Sequence, residues 1–296
     1  MSAPGPDPFL QKTETLLEAL PYIQTFRGEM ILVKFGGSAM ESAAQMDSIL
    51  KDIAFMWTVG MRPVVVHGGG KAISRALQAA GLGTQFVQGL RVTDEASIGV
   101  VADVIRNQVN RDVVERLRAL GVAAEPLSGD EVFHVYRKTG RDASTGAPVD
   151  WGFVGIPDAC DTGPVREIVH RGAVPVLCPL GLGTDGCLYN VNADHAAAAL
   201  AKSLKPRKLA FVSDVPGLLR DPGDPDSLIH TLRAADAPAL MESGVVGGGM
   251  LPKIQSCLDA IRAGVRKVHI VDGRMPHSLL LEIYTKTGVG TEITAS

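Results

Sequence analysis

Met30-Ile-Leu-Val-Lys-Phe-Gly-Gly-Ser38 decides how the chain is read. An apolar run of strand length ends on a lysine and then on two adjacent glycines. Lys34 stands where a buried strand runs out, and Gly36-Gly37 make a turn with no side chain between backbone amides and a bound group. A chain builds a site for phosphate in this way. What must be found elsewhere is a nucleotide loop, a second substrate site and a second cation.

Outward from this stretch, short β-type runs alternate with longer helical ones. Strands are expected over 31–35, 63–67, 174–178, 208–212 and 267–271, and helices over 46–59, 71–80, 94–120, 164–171, 193–204, 251–263 and 278–284. Thr93 is the expected cap of the long helix and Gly121 its stop. Residues 86–92 form an excursion or hairpin, and 132–138 with 149–155 flank a polar turn. The pattern specifies an α/β fold with a central, mostly parallel sheet, helices on both faces, and ligands at the carboxyl ends of the strands.

Lys205-Pro206-Arg207 is a polar break between a finished helix and a new strand, and divides the chain into lobes at 28–205 and 206–296. Residues 1–27 form a helical arm whose apolar residues recur at three-to-four spacing, from Phe9 through Leu16, Leu17 and Leu20 to Ile23. Asp7 is its expected cap, and Pro21 should kink it. The stripe covers either its own domain or a second subunit.

Composition removes several classes. The 296 residues are 46% hydrophobic with a formal charge of −3, enough to bury a large core. No apolar run approaches the roughly 20 residues of a membrane span, and the N-terminus has no secretion-signal pattern, so the cytoplasm is the expected location. Cys160, Cys178, Cys187 and Cys257 are scattered, which reads as buried thiols and not as a disulfide framework or zinc site. With no concentrated basic block, nucleic acid is not an expected partner.

Four glycine stretches remain. Gly181-Leu-Gly183-Thr-Asp-Gly186 fits a dinucleotide pattern, but a strand-like run, Cys187–Val191, follows in place of the required helix, so a hairpin turn is the better reading and an oxidoreductase ranks last. Gly36-Gly37 follows a strand, Gly68-Gly69-Gly70 joins a strand to a helix, and Gly247-Gly248-Gly249 opens the helix that carries Lys253. Helix N-termini with free N–H groups favour anions. Lys34 and Lys253 are therefore candidate phosphate cations. Asp194 is either a helix cap or the anion that holds the two lysines, and Asn190 could read an amide. Ser213-Asp214-Val-Pro-Gly217 is either a nucleotide-contacting loop or an ordinary turn. Phosphoryl transfer needs positioning and charge compensation more than a protein nucleophile, so two cations and a metal ion suffice.

Taken in order, Val33–Gly37, Val66–Gly70, Gly89–Thr93, Asn190–Asp194, Ser213–Gly217 and Gly248–Lys253 resemble the amino acid kinase family, in particular its members that act on N-acetyl-L-glutamate. The resemblance implies transfer of the ATP γ-phosphoryl, with Mg²⁺ held mainly by the nucleotide, to the side-chain carboxylate. It gives Lys34, Lys253 and Asp194 catalytic roles. Arg91, Asn190, Gly69 and Gly70 would bind the acid, and Gly36, Gly37, Ser213, Asp214, Gly217, Gly248 and Gly249 the phosphates and nucleotide; no residue is expected to hold a metal. The arm and the C-terminal stretch resemble those of arginine-inhibited members, implying Tyr22, His269, Glu282 and Gly288 as arginine contacts and a homo-oligomer, a dimer or a hexamer made of three dimers. A PII-type signalling protein is a further partner of some relatives. Phe35, Ser38 and Lys71 depart from the common Tyr, Asn and Pro. That leaves as alternatives another small carboxylate or carbamate acceptor, or a non-catalytic sensor.

Overall fold

The computed structural model describes residues 8–141, 146–246, 250–285 and 287–295. Helix α1 (Pro8–Phe26) leads into β1 (Met30–Phe35), α2 (Ala43–Thr58), β2 (Arg62–His67), α3 (Gly70–Ala79) and the short pair β3 (Phe86–Val87) and β4 (Leu90–Arg91). Helix α4 (Glu95–Asp103) passes through a π-helical segment, Val104–Asn110, into α5 (Arg111–Ala119). Then come β5 (Ala124–Ser128), β6 (Phe133–Arg141), β7 (Pro148–Cys160), α6 (Gly163–His170), β8 (Val174–Cys178), β9 (Leu180–Gly183), β10 (Leu188–Val191) and α7 (Ala193–Leu204). The chain continues through β11 (Lys208–Ser213), β12 (Thr231–Arg233), α8 (Ala237–Glu242), α9 (Met250–Arg262), β13 (Lys267–Asp272), α10 (Ser278–Tyr284) and β14 (Thr291–Thr294).

The main sheet runs β12-β14-β13-β11-β1-β2-β8-β5. It is parallel from β13 to β5; β14 is antiparallel to β13 and β12 runs with β14. Central strands are covered on both faces, which explains why Ile31–Phe35 is apolar at every position but Lys34 and is buried throughout. One face packs beneath α7 and α9 through Leu200, Ile254 and Cys257, the other beneath α2 and α5 through Ile53, Met56, Val113 and Leu117. A small closed sheet, β10-β7-β6-β9, stands beside the main one.

Register sets the site. Lys34 lies beside Val66 of β2 and Phe211 of β11, and Phe35 beside His67 and Val212. The three central strands thus finish at one level, and the loops after them open on one edge of the sheet. Since β11 pairs directly with β1, a single sheet continues across the 205–207 break, where Lys205 (φ 52°) ends α7 in the left-handed region.

Local differences from the sequence reading have physical causes. Asp94, not Thr93, caps α4, its Oδ1 accepting from Ser97 N at 2.8 Å. Thr93 is buried and bridges to β7, its N–H donating to Trp151 O and its carbonyl accepting from Phe153 N. The long helix is interrupted by the π segment, a register change that apolar spacing does not reveal. Strands β5, β12 and β14 and helix α8 were not expected; β5 contains Pro126 and Glu125, and the others are short. Helix α1 runs through Pro21, and Leu10, Leu16, Leu17 and Leu20 are exposed on it. The expected cap Asp7 lies outside the described residues, as does the middle of the turn joining β6 to β7.

Candidate active site

At the sheet edge two lysines from distant parts of the chain meet one carboxylate. Asn192 caps α7, its Oδ1 accepting from Asp194 N at 2.9 Å and His195 N at 3.2 Å, and this first turn presents Asp194 to the end of β1. Asp194 Oδ1 is 2.6 Å from Lys34 Nζ, and its Oδ2 accepts a hydrogen bond from Lys253 Nζ at 2.8 Å. Lys253, in the first turn of α9, also lies over the Phe211 ring, 5.5 Å from its centroid. All three side chains are largely withdrawn from solvent.

Burial alone would push the Asp194 carboxyl up, but the Lys34 and Lys253 ammonium groups outweigh it and hold it far below the usual carboxylate range. It is therefore a permanent anion and not a proton carrier. Lys34 is pulled below the usual lysine range, first by burial and then by Lys253, with Asp194 opposing both. The two ammonium groups lie beside the crossing of two glycine loops. A Cβ on Gly36 would lie 3.2 Å from Gly68 Cα, and one on Gly68 the same distance from Gly36 Cα, so a side chain on either would press the two loops apart by a few tenths of an ångström. Gly37 adopts φ +61°, in the left-handed region.

The loops open into a cavity of about 460 Å³ whose lining includes Lys34, Gly37, Gly69, Arg91 and Asn190. Arg91 is 6% exposed. Its Nη2 donates to Gly70 O at 2.6 Å and Ser74 Oγ at 2.8 Å, Nη1 donates to Thr84 Oγ1 at 3.3 Å, and the guanidinium lies 4.7 Å from the Phe86 centroid. Among the described residues no carboxylate pairs with it, and burial lowers its affinity for its proton. A buried, oriented guanidinium without a counter-anion has the geometry and charge to pair with a carboxylate. Asn190 Nδ2 donates to Thr93 Oγ1 at 3.2 Å, so Thr93 orients the amide. The supporting roles of Gly68, Ser74, Thr84 and Thr93 were not read from the sequence; only Gly68 and Thr93 lay inside recognised motifs.

A second cavity, about 410 Å³, is lined by Asp214, Gly217, Leu218, Met250 and Arg274 among others. Asp214 is exposed there, whereas Ser213 is buried and its hydroxyl donates to Asp214 Oδ1 at 3.3 Å. Gly217 has φ +143°, and a Cβ on it would lie 2.6 Å from Thr291 Oγ1, which accepts from Leu218 N; the approach of β14 requires glycine. Gly248 and Gly249 lie outside the described residues.

The third expected cluster is separate. Tyr22, Glu282 and Gly288 line a cavity of about 580 Å³ together with Lys208, Lys267 and Glu292. Glu282 is buried, not on an exposed helix face: His269 Nδ1 lies 2.6 Å from Oε1, and Oε2 accepts from Val289 N at 2.7 Å and Gly290 N at 2.9 Å. Burial raises its carboxyl, but His269 and these N–H groups outweigh that and leave it below its ordinary value. His269 is buried behind it, and Gly288 (φ +68°) comes so close that a Cβ would collide with the carboxylate.

Residues 29–272 match the model of the amino acid kinase family. The chain belongs to that family. Two proteins named acetylglutamate kinase, from Heliobacterium modesticaldum and Akkermansia muciniphila, are 44% and 46% identical to it over 96% of this chain and 98% and 96% of their own lengths. Among solved structures, N-acetylglutamate synthase from Neisseria gonorrhoeae, complexed with coenzyme A and L-arginine, superposes with a TM-score of 0.78 at 28% identity, over 96% of this chain and 65% of the synthase chain. Giardia lamblia carbamate kinase, at 17% identity and TM-score 0.65, covering 91% of this chain and 99% of its own, shares the fold. The central parallel sheet is thus the amino acid kinase fold, and the glycine loops stand at its carboxyl edge. Family membership implies ATP as phosphoryl donor. Among the described residues no three His, Cys, Asp or Glu side chains converge on a metal-sized point, and no helix is long and apolar enough to cross a membrane.

Proposed function

We propose that the chain transfers the γ-phosphoryl of ATP to the side-chain carboxylate of N-acetyl-L-glutamate in arginine biosynthesis. The observation that carries this reading is Asp194 bridging Lys34 and Lys253 beside the Gly36–Gly68 crossing. An acceptor carboxylate is already ionised, so no general base is required. Its oxygen bonds to phosphorus as the bond to the β,γ-bridging oxygen breaks, giving an acyl phosphate and ADP. Lys34 and Lys253 compensate the charge on the group in flight, while Gly37 and Gly69 supply N–H donors. Asp194 keeps the lysines at one place and takes no proton itself.

Arg91 supports an acidic substrate with a second carboxylate, and Asn190 supports an amide between the two ends. Mg²⁺ fits this donor set as an ion carried by nucleotide phosphates and water, since Asp214 is the exposed carboxylate of the nucleotide cavity and, among the described residues, no cluster of three metal-ligating side chains accompanies it. Bound so, it would neutralise phosphate charge. The lobe before Pro206 takes the acid and the one after it the nucleotide, and the cytoplasm is the compartment.

We also read the Tyr22–Glu282–Gly288 cavity as an arginine site. The neighbouring synthase was solved with L-arginine, and this cavity brings the acids Glu282 and Glu292 together with the bases Arg207, Lys208, Arg266 and Lys267, so that both a guanidinium and an α-carboxylate would meet opposite charges in it. The exposed leucines of α1 support assembly through the arm into dimers linked as a hexamer. Hydroxamate trapping of the acyl phosphate with N-acetylglutamate, glutamate, aspartate and carbamate in parallel tests the function. N-acetylglutamate should give turnover well above the rest; no turnover with it would refute the reading.

A further inference from the structure

His67 ends β2, immediately before the three glycines, and is fully buried. Its two ring nitrogens have partners that fix its tautomer. Nδ1 lies 2.7 Å from Gly68 O, which can only accept, so Nδ1 carries the proton. Nε2 lies 3.0 Å from Asn110 Nδ2, which also donates to Val176 O at 2.8 Å. That carbonyl requires a donor, which fixes the orientation of the Asn110 amide and makes Nε2 the acceptor. Asn110 reaches this position as the last residue of the π segment. Burial pushes the imidazole down to about 4, so it is neutral at any working pH.

The consequence lies on the other side of the peptide. The bond between Gly68 and Gly69 is trans, so its C=O and N–H point in opposite directions. With its carbonyl held by the imidazole, the peptide turns the Gly69 N–H away from His67, and Gly69 lines the cavity that also holds Lys34 and Arg91. Gly69 N–H has no partner among the described residues. At Gly69 φ is −178°, which any residue adopts, so the backbone conformation alone does not hold this peptide.

We propose that His67 and Asn110 form a positioning pair that aims the Gly69 N–H at the transferring phosphoryl group. Neither side chain touches the reactants; both act through one peptide plane. Donors at such a position serve the transition state more than the ground state, so the pair should govern kcat and leave KM largely alone. The inference deepens the function proposed above and rests on it for its kinetic part.

The test compares two shortened side chains and one measurement on the native protein. In His67→Asn the amide nitrogen replaces Nδ1 and keeps a donor for Gly68 O. In His67→Gln the carboxamide reaches the Nε2 level, accepts from Asn110 and leaves Gly68 O free. We expect H67Q to lose at least about tenfold in kcat, with KM for ATP and N-acetylglutamate within about threefold of native, and H67N to recover most of that loss. Equal losses in the two variants, or a loss confined to KM, would overturn the proposal. Nitrogen-15 NMR of the histidine rings in the native protein, without substrate, is independent of variant folding and of the identity of the acid. It should find His67 protonated on Nδ1 only between pH 6 and 9. A proton on Nε2 would refute the pair even in a fully active kinase, whereas the expected tautomer in a protein inert toward N-acetylglutamate would fault only the function.

Discussion

Replacing Asp194 by asparagine isolates the electrostatics of the site, because the side chain keeps its shape and loses its charge. Ion pairs at 2.6 and 2.8 Å correspond to roughly 6 kcal/mol of attraction each at an effective dielectric of about 20. Desolvation of the three ions cancels much of this, and breaking a buried pair typically costs about 3–5 kcal/mol because the partner charge is left uncompensated. In D194N two ammonium groups are left, and the influence that chiefly opposed burial at Lys34 is gone, so its affinity for a proton falls further. Below that lowered pKa the folded variant carries a buried charge and is destabilised; above it the lysine is neutral and the deficit shrinks. In the native protein Asp194 is depressed, so its contribution to stability is present above the ordinary carboxylate range and is lost only in strong acid. Urea unfolding should therefore show D194N less stable by about 3 kcal/mol at pH 6, with a smaller deficit at pH 9. Turnover should fall by at least about 10²-fold at both pH values, at pH 6 because no anion holds the two charged lysines at one place and at pH 9 because a neutral lysine does not compensate phosphoryl charge. A deficit of equal size at the two pH values, or recovery of turnover together with stability, would show that Asp194 is not the counter-ion of these lysines.

Two further outcomes follow from side-chain environment. Arg91→Ala should raise KM for the acid by about 10²-fold, in line with about 1.5–3 kcal/mol for a charge-assisted hydrogen bond, while KM for ATP stays near native; the reverse pattern in initial-rate kinetics would move Arg91 out of the acid site. Leu16→Ser with Leu17→Ser changes two exposed side chains of α1, 71% and 60% accessible, so monomer stability should hardly change. If the arm joins subunits, analytical ultracentrifugation should find a smaller assembly than native, and an unchanged mass would refute that role.

What the sequence disclosed depended on how local its cause was. Strands β1, β2, β8, β11 and β13 are buried on both faces, so their apolar runs were visible without tertiary information, and α7 was visible in its alanines and leucines. The Lys34–Asp194–Lys253 triad lay within separate motifs, and only the sheet register and the first turns of α7 and α9 bring it together. Asn110 illustrates what could not be read. It reaches His67 across 43 residues by way of a π segment, and π geometry has no compositional mark. Glu282 shows the same limit, since its burial arises from Val289 and Gly290 folding back over it.

The distribution of buried polar groups argues for two ligand sites more strongly than any one residue does. Apolar replacements would serve stability as well as buried ions do, so a chain that keeps ionisable groups inside keeps them for something other than cohesion. Lys34, His67, Arg91, Thr93 and Asn110 gather around the cavity at the carboxyl edge of β1 and β2. Lys208 and Glu282 line the cavity between α10 and β14, with His269 buried behind Glu282. The sheet connects the two groups, because β11 begins at Lys208 beside the second cavity and ends at Ser213 beside the first loops, with β1 paired along it.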